Sequence, residues 1–194
     1  SSCEAPGCAP HARFDSRRSS THRASDRSAY IRFGTGAVDG VVSRDTVRFH
    51  ELVVANQSFI EVREERSFPF AEYPFDGILG LGLPALAIEG TAPLFDTVIA
   101  QRLLERNVFS FHLSPEDGEG ADRSMILFGG SDPALHVGPL LWVPLHPSCY
   151  WEMLISDIEL GGQVPASRAP PHGAPSVLLL ARHSRTSRVR EVPA

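Results

Sequence analysis

The sequence contains no lysine: all 18 of its basic residues are arginine. A missing residue type of this kind reflects codon bias more readily than function, and it says nothing about partners. No basic stripe exists either. The formal net charge is -5, and a mildly acidic chain is poorly suited to neutralising a phosphate backbone, so no nucleic-acid partner is expected. No apolar run approaches the roughly 18 residues of a membrane-spanning helix. The apolar stretch near the end, Val177 to Ala181, is far too short. No internal repeat is evident, and no signal peptide opens the chain. The first residue is Ser1 rather than Met, which is read here as a processed or partial product. Eight histidines form no His-x-x-x-His pair and no Cys/His cluster, so neither a metal site nor a cofactor is expected. Cys149 sits in Pro147-Ser148-Cys149-Tyr150 with no nucleophile motif around it, and no Gly-x-Ser-x-Gly elbow occurs.

What is present points to short strands. The 194 residues are 42% hydrophobic, enough for one domain with a real core. Glycine and proline number 16 each and punctuate short apolar runs, a pattern of strands and turns rather than a helix bundle. Cys3 and Cys8 are separated by four residues that include Pro6 and Gly7. They are read as a disulfide, with two free thiols as the alternative. A disulfide favours an oxidising compartment.

Residues 1 to 28 are polar and read as loop. Ser28 to Phe33 alternates, with Ile31 and Phe33 on one face and Tyr30 and Arg32 on the other. Gly34-Thr35-Gly36 breaks the run, and Val38 to Phe49 resumes it, so the pattern predicts a β-hairpin. Glu51 to Val62 is a further strand. Phe75 to Gly82 carries three glycines, which oppose a helix and suggest a packed strand entering a turn. Phe95 to Leu104 has helical spacing, with a start marked by Thr91 and Pro93 and a stop by Asn107. Val108 to Leu113 and Met125 to Phe128 read as strands flanking an acidic loop, Ser114 to Asp122. Leu140 to Leu145 and Tyr150 to Leu160 are two more predicted strands. From about Val164 the periodicity is lost, and residues 163–194 read as a disordered or foreign tail.

The order of these segments resembles the pepsin-like aspartic proteases, the group of pepsin, cathepsin D, cathepsin E and the plasmepsins. Four stretches carry the likeness. The first is Cys3 to Thr21, with Arg13-Phe14 and Ser19-Ser20-Thr21; His22 stands where the family has tyrosine. The second is Ile31-Arg32-Phe33-Gly34-Thr35-Gly36, with Gly40 and Asp45. The third is Pro74-Phe75-Asp76-Gly77-Ile78-Leu79-Gly80-Leu81, with Pro93-Leu94-Phe95-Asp96 and Gln101. The fourth is Phe128-Gly129-Gly130, with Gly138, Leu140, Trp142-Val143-Pro144 and Tyr150-Trp151. Each alone is weakly specific. Their shared order and spacing cover about residues 1 to 162.

The resemblance implies a mostly β, incomplete pepsin-like acid protease fold: most of the N-terminal lobe plus the first strands of the interlobe sheet. Within 1–162 it implies a flap hairpin at 28–49, a lobe core at 50–128 and interlobe strands at 129–162. It implies that Phe33, Gly34, Thr35 and Gly36 close over a peptide, with Phe33 in the place of the usual flap tyrosine and so without its hydroxyl. Phe75 and Ile78 are the expected lining of an apolar specificity pocket, with Phe70 a weaker candidate. As plain core residues Phe75 and Ile78 would look identical in sequence. The implied partner is a protein or peptide substrate, and the implied setting is the secretory pathway, an acidic lysosome-like vesicle or the exterior.

Two carboxylates held close together share one proton and act in turn as base and acid on a water molecule. The family places each in an Asp-Thr/Ser-Gly turn, and no such string occurs in this sequence. Asp45-Thr46-Val47 and Asp96-Thr97-Val98 come nearest and lack the glycine. Asp76 precedes Gly77 directly and reads as a polar anchor in a turn. By family register, one motif falls upstream of Ser1 and the other shortly beyond Gly162. The expectation is therefore a fragment of an aspartic endopeptidase, with a peptide-binding pseudoprotease as the alternative.

Overall fold

A computed structural model describes residues 3, 8–33, 36–65, 72–114, 124–153, 158–159 and 188–189. The chain divides into two units, Ser1–Leu104 and Glu105–Ala194.

The first unit is built on the alternating runs. Strand β1 spans Ser28–Arg32, β2 Ala37–Phe49 and β3 Leu52–Glu65. They form an antiparallel sheet in the order β1-β2-β3. Arg32 pairs with Ala37 and Phe49 with Leu52, so both connections are tight hairpins. His50 opens the second of these turns at φ 51°, in the left-handed region that a hairpin turn demands. The register of β2 on β3 shifts twice, between Asp39 and Gly40 and between Asp45 and Val47. At the first shift Gly40 runs against β3 so closely that a Cβ there would meet the Glu61 carbonyl oxygen. The backbone approach admits only glycine.

Helix α1 spans Leu94–Ala100. Its buried face, Leu94 and Val98, packs on Val54 of β3, flanked by Val47, Phe49, Leu52, Leu103 and Leu104. Each fully buried valine or leucine contributes about 1.5–3 kcal/mol relative to exposure. The sequence predicted a helix through Leu104, yet it stops a turn earlier. Arg102 takes φ 54°, the Leu103 N–H donates to Val98 O at 3.2 Å, and the Arg102 N–H to Ile99 O at 3.0 Å. This paired capping pattern ends the helix and leaves Leu103 free to fold back on the core. No strand forms over Phe75 to Gly82, against expectation. Ile78 and Leu79 are more than half exposed, and Gly77 and Gly80 have open space about them. A strand exists only with a hydrogen-bonded neighbour, and among the described residues none lies alongside.

In the second unit β4, Phe109–His112, pairs antiparallel with β5, Met125–Phe128. Phe109 gathers the rings of Phe111, Phe128 and Trp151, the last edge-on at 5.6 Å. Residues 140–145, predicted as a strand, carry none; Leu141 is 81% and Trp142 71% exposed. Of the predicted strand Tyr150 to Leu160, Tyr150 to Met153 is irregular. Ile158–Glu159 forms β6 and pairs with β7, Arg188–Val189. Most of the acidic loop, Phe70 and the rest of the expected tail lie outside the described residues.

Candidate functional site

The site is a cleft of about 780 Å³ in the first unit. Residues of β2 and β3, Asp45 and Glu61 among them, line it together with three sequence-distant pieces. The end of β1 supplies Ile31 and Phe33, the glycine-punctuated segment supplies Phe75 and Ile78, and the loop after the cysteines supplies Phe14. The Phe33 N–H donates to the Gly36 carbonyl at 2.7 Å, which closes the base of the β1–β2 hairpin tip. Gly34 and Thr35 lie outside the described residues. Thus Phe33, Phe75 and Ile78 border one cavity, and Gly36 sits beside it as the hydrogen-bond partner of Phe33. Phe75 is 40% and Ile78 58% exposed. Phe75 stacks on Tyr73 with ring centroids 5.3 Å apart.

Local bonds fix these pieces. Cys3 and Cys8 are joined in a disulfide, and Arg13 Nη1 donates to the Cys3 carbonyl at 2.6 Å. Asp76 Oδ1 accepts the Ala12 N–H at 2.8 Å, tying the cysteine loop to the segment that carries Phe75 and Ile78. Asp76 therefore acts as the anchor that its place in a glycine-rich turn suggested. Gln57 Nε2 donates to Ala92 O at 3.0 Å, joining β3 to the approach of α1. Cys149 is a free thiol.

The carboxylates that came nearest to a catalytic string have structural occupations. Asp96 lies in the first turn of α1, where a negative charge meets the positive end of the helix dipole. Asp45 is buried and accepts from the Thr21 hydroxyl and from the Thr46 N–H at 2.7 Å. Burial pushes its carboxyl up; the Ser19 and Thr21 hydroxyls, the Thr46 N–H and His22 outweigh it, and the group is held below its ordinary value.

A further pair escaped the sequence. His22 Nε2 lies 2.6 Å from Glu61 Oε1, with side chains only 14% and 13% exposed. Burial pushes Glu61 up; the Ser43 hydroxyl beside it, which closes no hydrogen bond of good geometry, and His22 bring it below its ordinary value. The two residues are 39 apart in sequence. Only the β2–β3 register and the return of the 15–23 loop bring them together, and no local motif announces that.

Among the described residues no cluster of His, Cys, Asp or Glu could hold a metal ion. No helix among them is long and apolar enough to cross a membrane.

The family profile described as eukaryotic aspartyl protease matches residues 1–171. Mouse pepsin A-5 is 41% identical over 163 residues, which is 84% of this chain and 41% of that protein. Cathepsin E-B of Xenopus laevis is 37% identical over 162 residues, 84% of this chain and 41% of its own length. The probable vacuolar protease A of Trichophyton verrucosum is 37% identical over 159 residues, 82% of this chain and 40% of its own. The chain thus spans about two fifths of the length of the curated relatives it matches.

Proposed function

The chain belongs to the eukaryotic aspartyl protease family, and from that premise we propose that it is the flap-bearing part of an endopeptidase that cuts internal peptide bonds beside apolar side chains. The observation that carries this reading is the meeting of Phe33, Phe75 and Ile78 on one cleft beside the β1–β2 hairpin. A partly exposed apolar wall fits an extended peptide with apolar side chains, and a hairpin at its mouth can close over it and exclude water. Phe33 offers a ring for packing and no hydroxyl for a hydrogen bond. The reaction in the parent protein is water activation by two carboxylates sharing a proton, supplied by Asp-Thr/Ser-Gly turns encoded outside these residues. The setting is a secretory or acidic vesicular compartment. The disulfide and the kinship with a protease named vacuolar support that setting.

Peptides with apolar residues should bind the 194-residue chain, and Phe33→Ala, Phe75→Ala and Ile78→Ala should each weaken binding by about tenfold, the loss of one apolar side chain's contact. The chain alone should cleave no protein at acid pH, and the adjoining coding sequence should contain both Asp-Thr/Ser-Gly motifs. Cleavage by the purified chain would overturn the first statement. Intact adjoining exons without the motifs would favour the second reading, a pseudoprotease that binds peptides through the same cleft. That reading is motivated by the absence of either motif from the present sequence.

A further inference from the structure

The segment from Phe14 to Arg23 has no regular structure beyond one 3-10 turn, Ser16–Arg18. It nevertheless forms part of the cleft, because Phe14 lines it. Phe14 stands edge-on to Phe59 of β3 at 5.1 Å and leans on the His22 ring at 5.8 Å. Two polar contacts fasten this segment to the sheet, and each ends on a poorly exposed carboxylate. Thr21 donates to Asp45 of β2. His22 meets Glu61 of β3 at 2.6 Å. Next to them Arg23 and Arg44 exchange backbone hydrogen bonds at 2.7 and 2.9 Å, an isolated bridge with no strand to continue it.

The charges around these contacts are few. His22 faces Glu61 from the loop and acts on Asp45 as well. The Arg23 guanidinium is engaged by the Ser20 and His22 carbonyls, and that of Arg44 by the Ser58 hydroxyl. Asp15 is engaged by Arg17, on the same loop. Asp45 and Glu61 are thus the two carboxylates through which the loop grips β2 and β3.

We propose that Thr21–Asp45 and His22–Glu61 form an acid-released latch: while both carboxylates are ionised they hold the Phe14 wall of the cleft against the sheet, and when they take up protons the wall is let go. The direction follows from linkage. Both carboxyls lie below their ordinary values of 3.8 and 4.5 in the folded chain. A depressed carboxyl stabilises the fold fully above its unfolded value and loses that contribution as pH falls through its folded value. The latch therefore holds in mild acid and fails in strong acid, which sets a lower pH limit on an intact cleft whatever the cleft binds.

The test is amide hydrogen exchange of the whole chain, read at Arg23 and Arg44 and corrected for the intrinsic pH dependence of exchange. Protection in the wild type should fall at least about tenfold from about pH 5 to about pH 3, as protonation of the two gripping carboxylates weakens the closed state. In Asp45→Asn/Glu61→Gln it should change less than about threefold over that range. An equal fall in the double variant, or a flat wild-type profile, overturns the latch. Should the double variant lose its sheet, His22→Phe/Glu61→Leu replaces the His22–Glu61 contact by an apolar one. It should move the release to lower pH, and an unmoved midpoint overturns the proposal equally.

Discussion

Gln101 grips Ala55 with both ends of its side-chain amide. Its Oε1 accepts the Ala55 N–H at 3.2 Å and its Nε2 donates to the Ala55 carbonyl at 2.7 Å. The contact imitates a strand pairing at the place where the β2–β3 register breaks, beside Asn56 at φ 53°. It also joins the C-terminal end of α1 to β3. Gln101→Ala should lower stability by about 1–2 kcal/mol, two neutral hydrogen bonds in a partly solvated site. Gln101→Glu should cost a similar amount, because the donor to Ala55 O is lost. Denaturant unfolding of the three proteins checks this, and an unchanged midpoint in both variants would refute it.

Gly40 permits a close approach of β2 to β3. In Gly40→Ala the new methyl would meet the Glu61 carbonyl and lie 2.6 Å from Ile60 Cγ2. A strand cannot yield there without breaking its ladder, so the cost should be about 2–4 kcal/mol. Because Glu61 sits at the same point, the His22 contact should loosen too. Thermal unfolding together with the NMR signals of His22 would show whether both follow.

The Cys3–Cys8 disulfide closes a short loop, and chain-entropy reasoning assigns such a loop about 2 kcal/mol. Cys3→Ser/Cys8→Ser should lose about that much. It should also free Ala12 from its bond to Asp76, so apolar peptide binding should weaken as well. Alkylation without reductant should label Cys149 and spare the other two. Labelling at Cys3 or Cys8 in the untreated protein would contradict the pairing.

Asp15 gives a local pH marker. Arg17 donates from Nε and Nη2 to its two carboxylate oxygens at 2.9 and 3.0 Å, and the carboxyl is brought down to about 2, chiefly by that guanidinium. In a pH titration followed by NMR, Asp15 should titrate well below the ordinary 3.8. Arg17→Ala should return it toward 3.8. If Asp15 titrates near 3.8 in the wild type, the bidentate contact does not persist in solution.

The hairpin of β1 and β2 was legible because alternation sets both the strand type and the inward face. Ala29 is buried and its neighbour Tyr30 exposed. β3, β4 and β5 were legible as short apolar runs bounded by turn residues or polar loops. The end of α1 was not, since its stop depends on Arg102 accepting a left-handed backbone, which its side chain does not advertise. Residues 140–145 and 75–82 misled in the opposite direction. Their apolar content suits a strand, but a strand is a property of two chains, and the sequence of one gives no partner. Of the cleft, the ring and glycine motifs could be read directly. The His22–Glu61 contact could not, because it exists only after three elements have taken their places.

The two register shifts of β2 bear on how the molecule avoids misfolding. They divide one thirteen-residue strand into a part that carries the hairpin, a part that carries Asp45, and a part that rests on the Val54 core. Slippage by one residue in an unbroken ladder would turn every side chain to the wrong face along its whole length. Here each irregularity is a barrier to sliding. A pairing error begun in the hairpin would stop at Gly40, and one begun near the core would stop at Asp45, so each third of the strand can find its alignment and correct it without undoing the others.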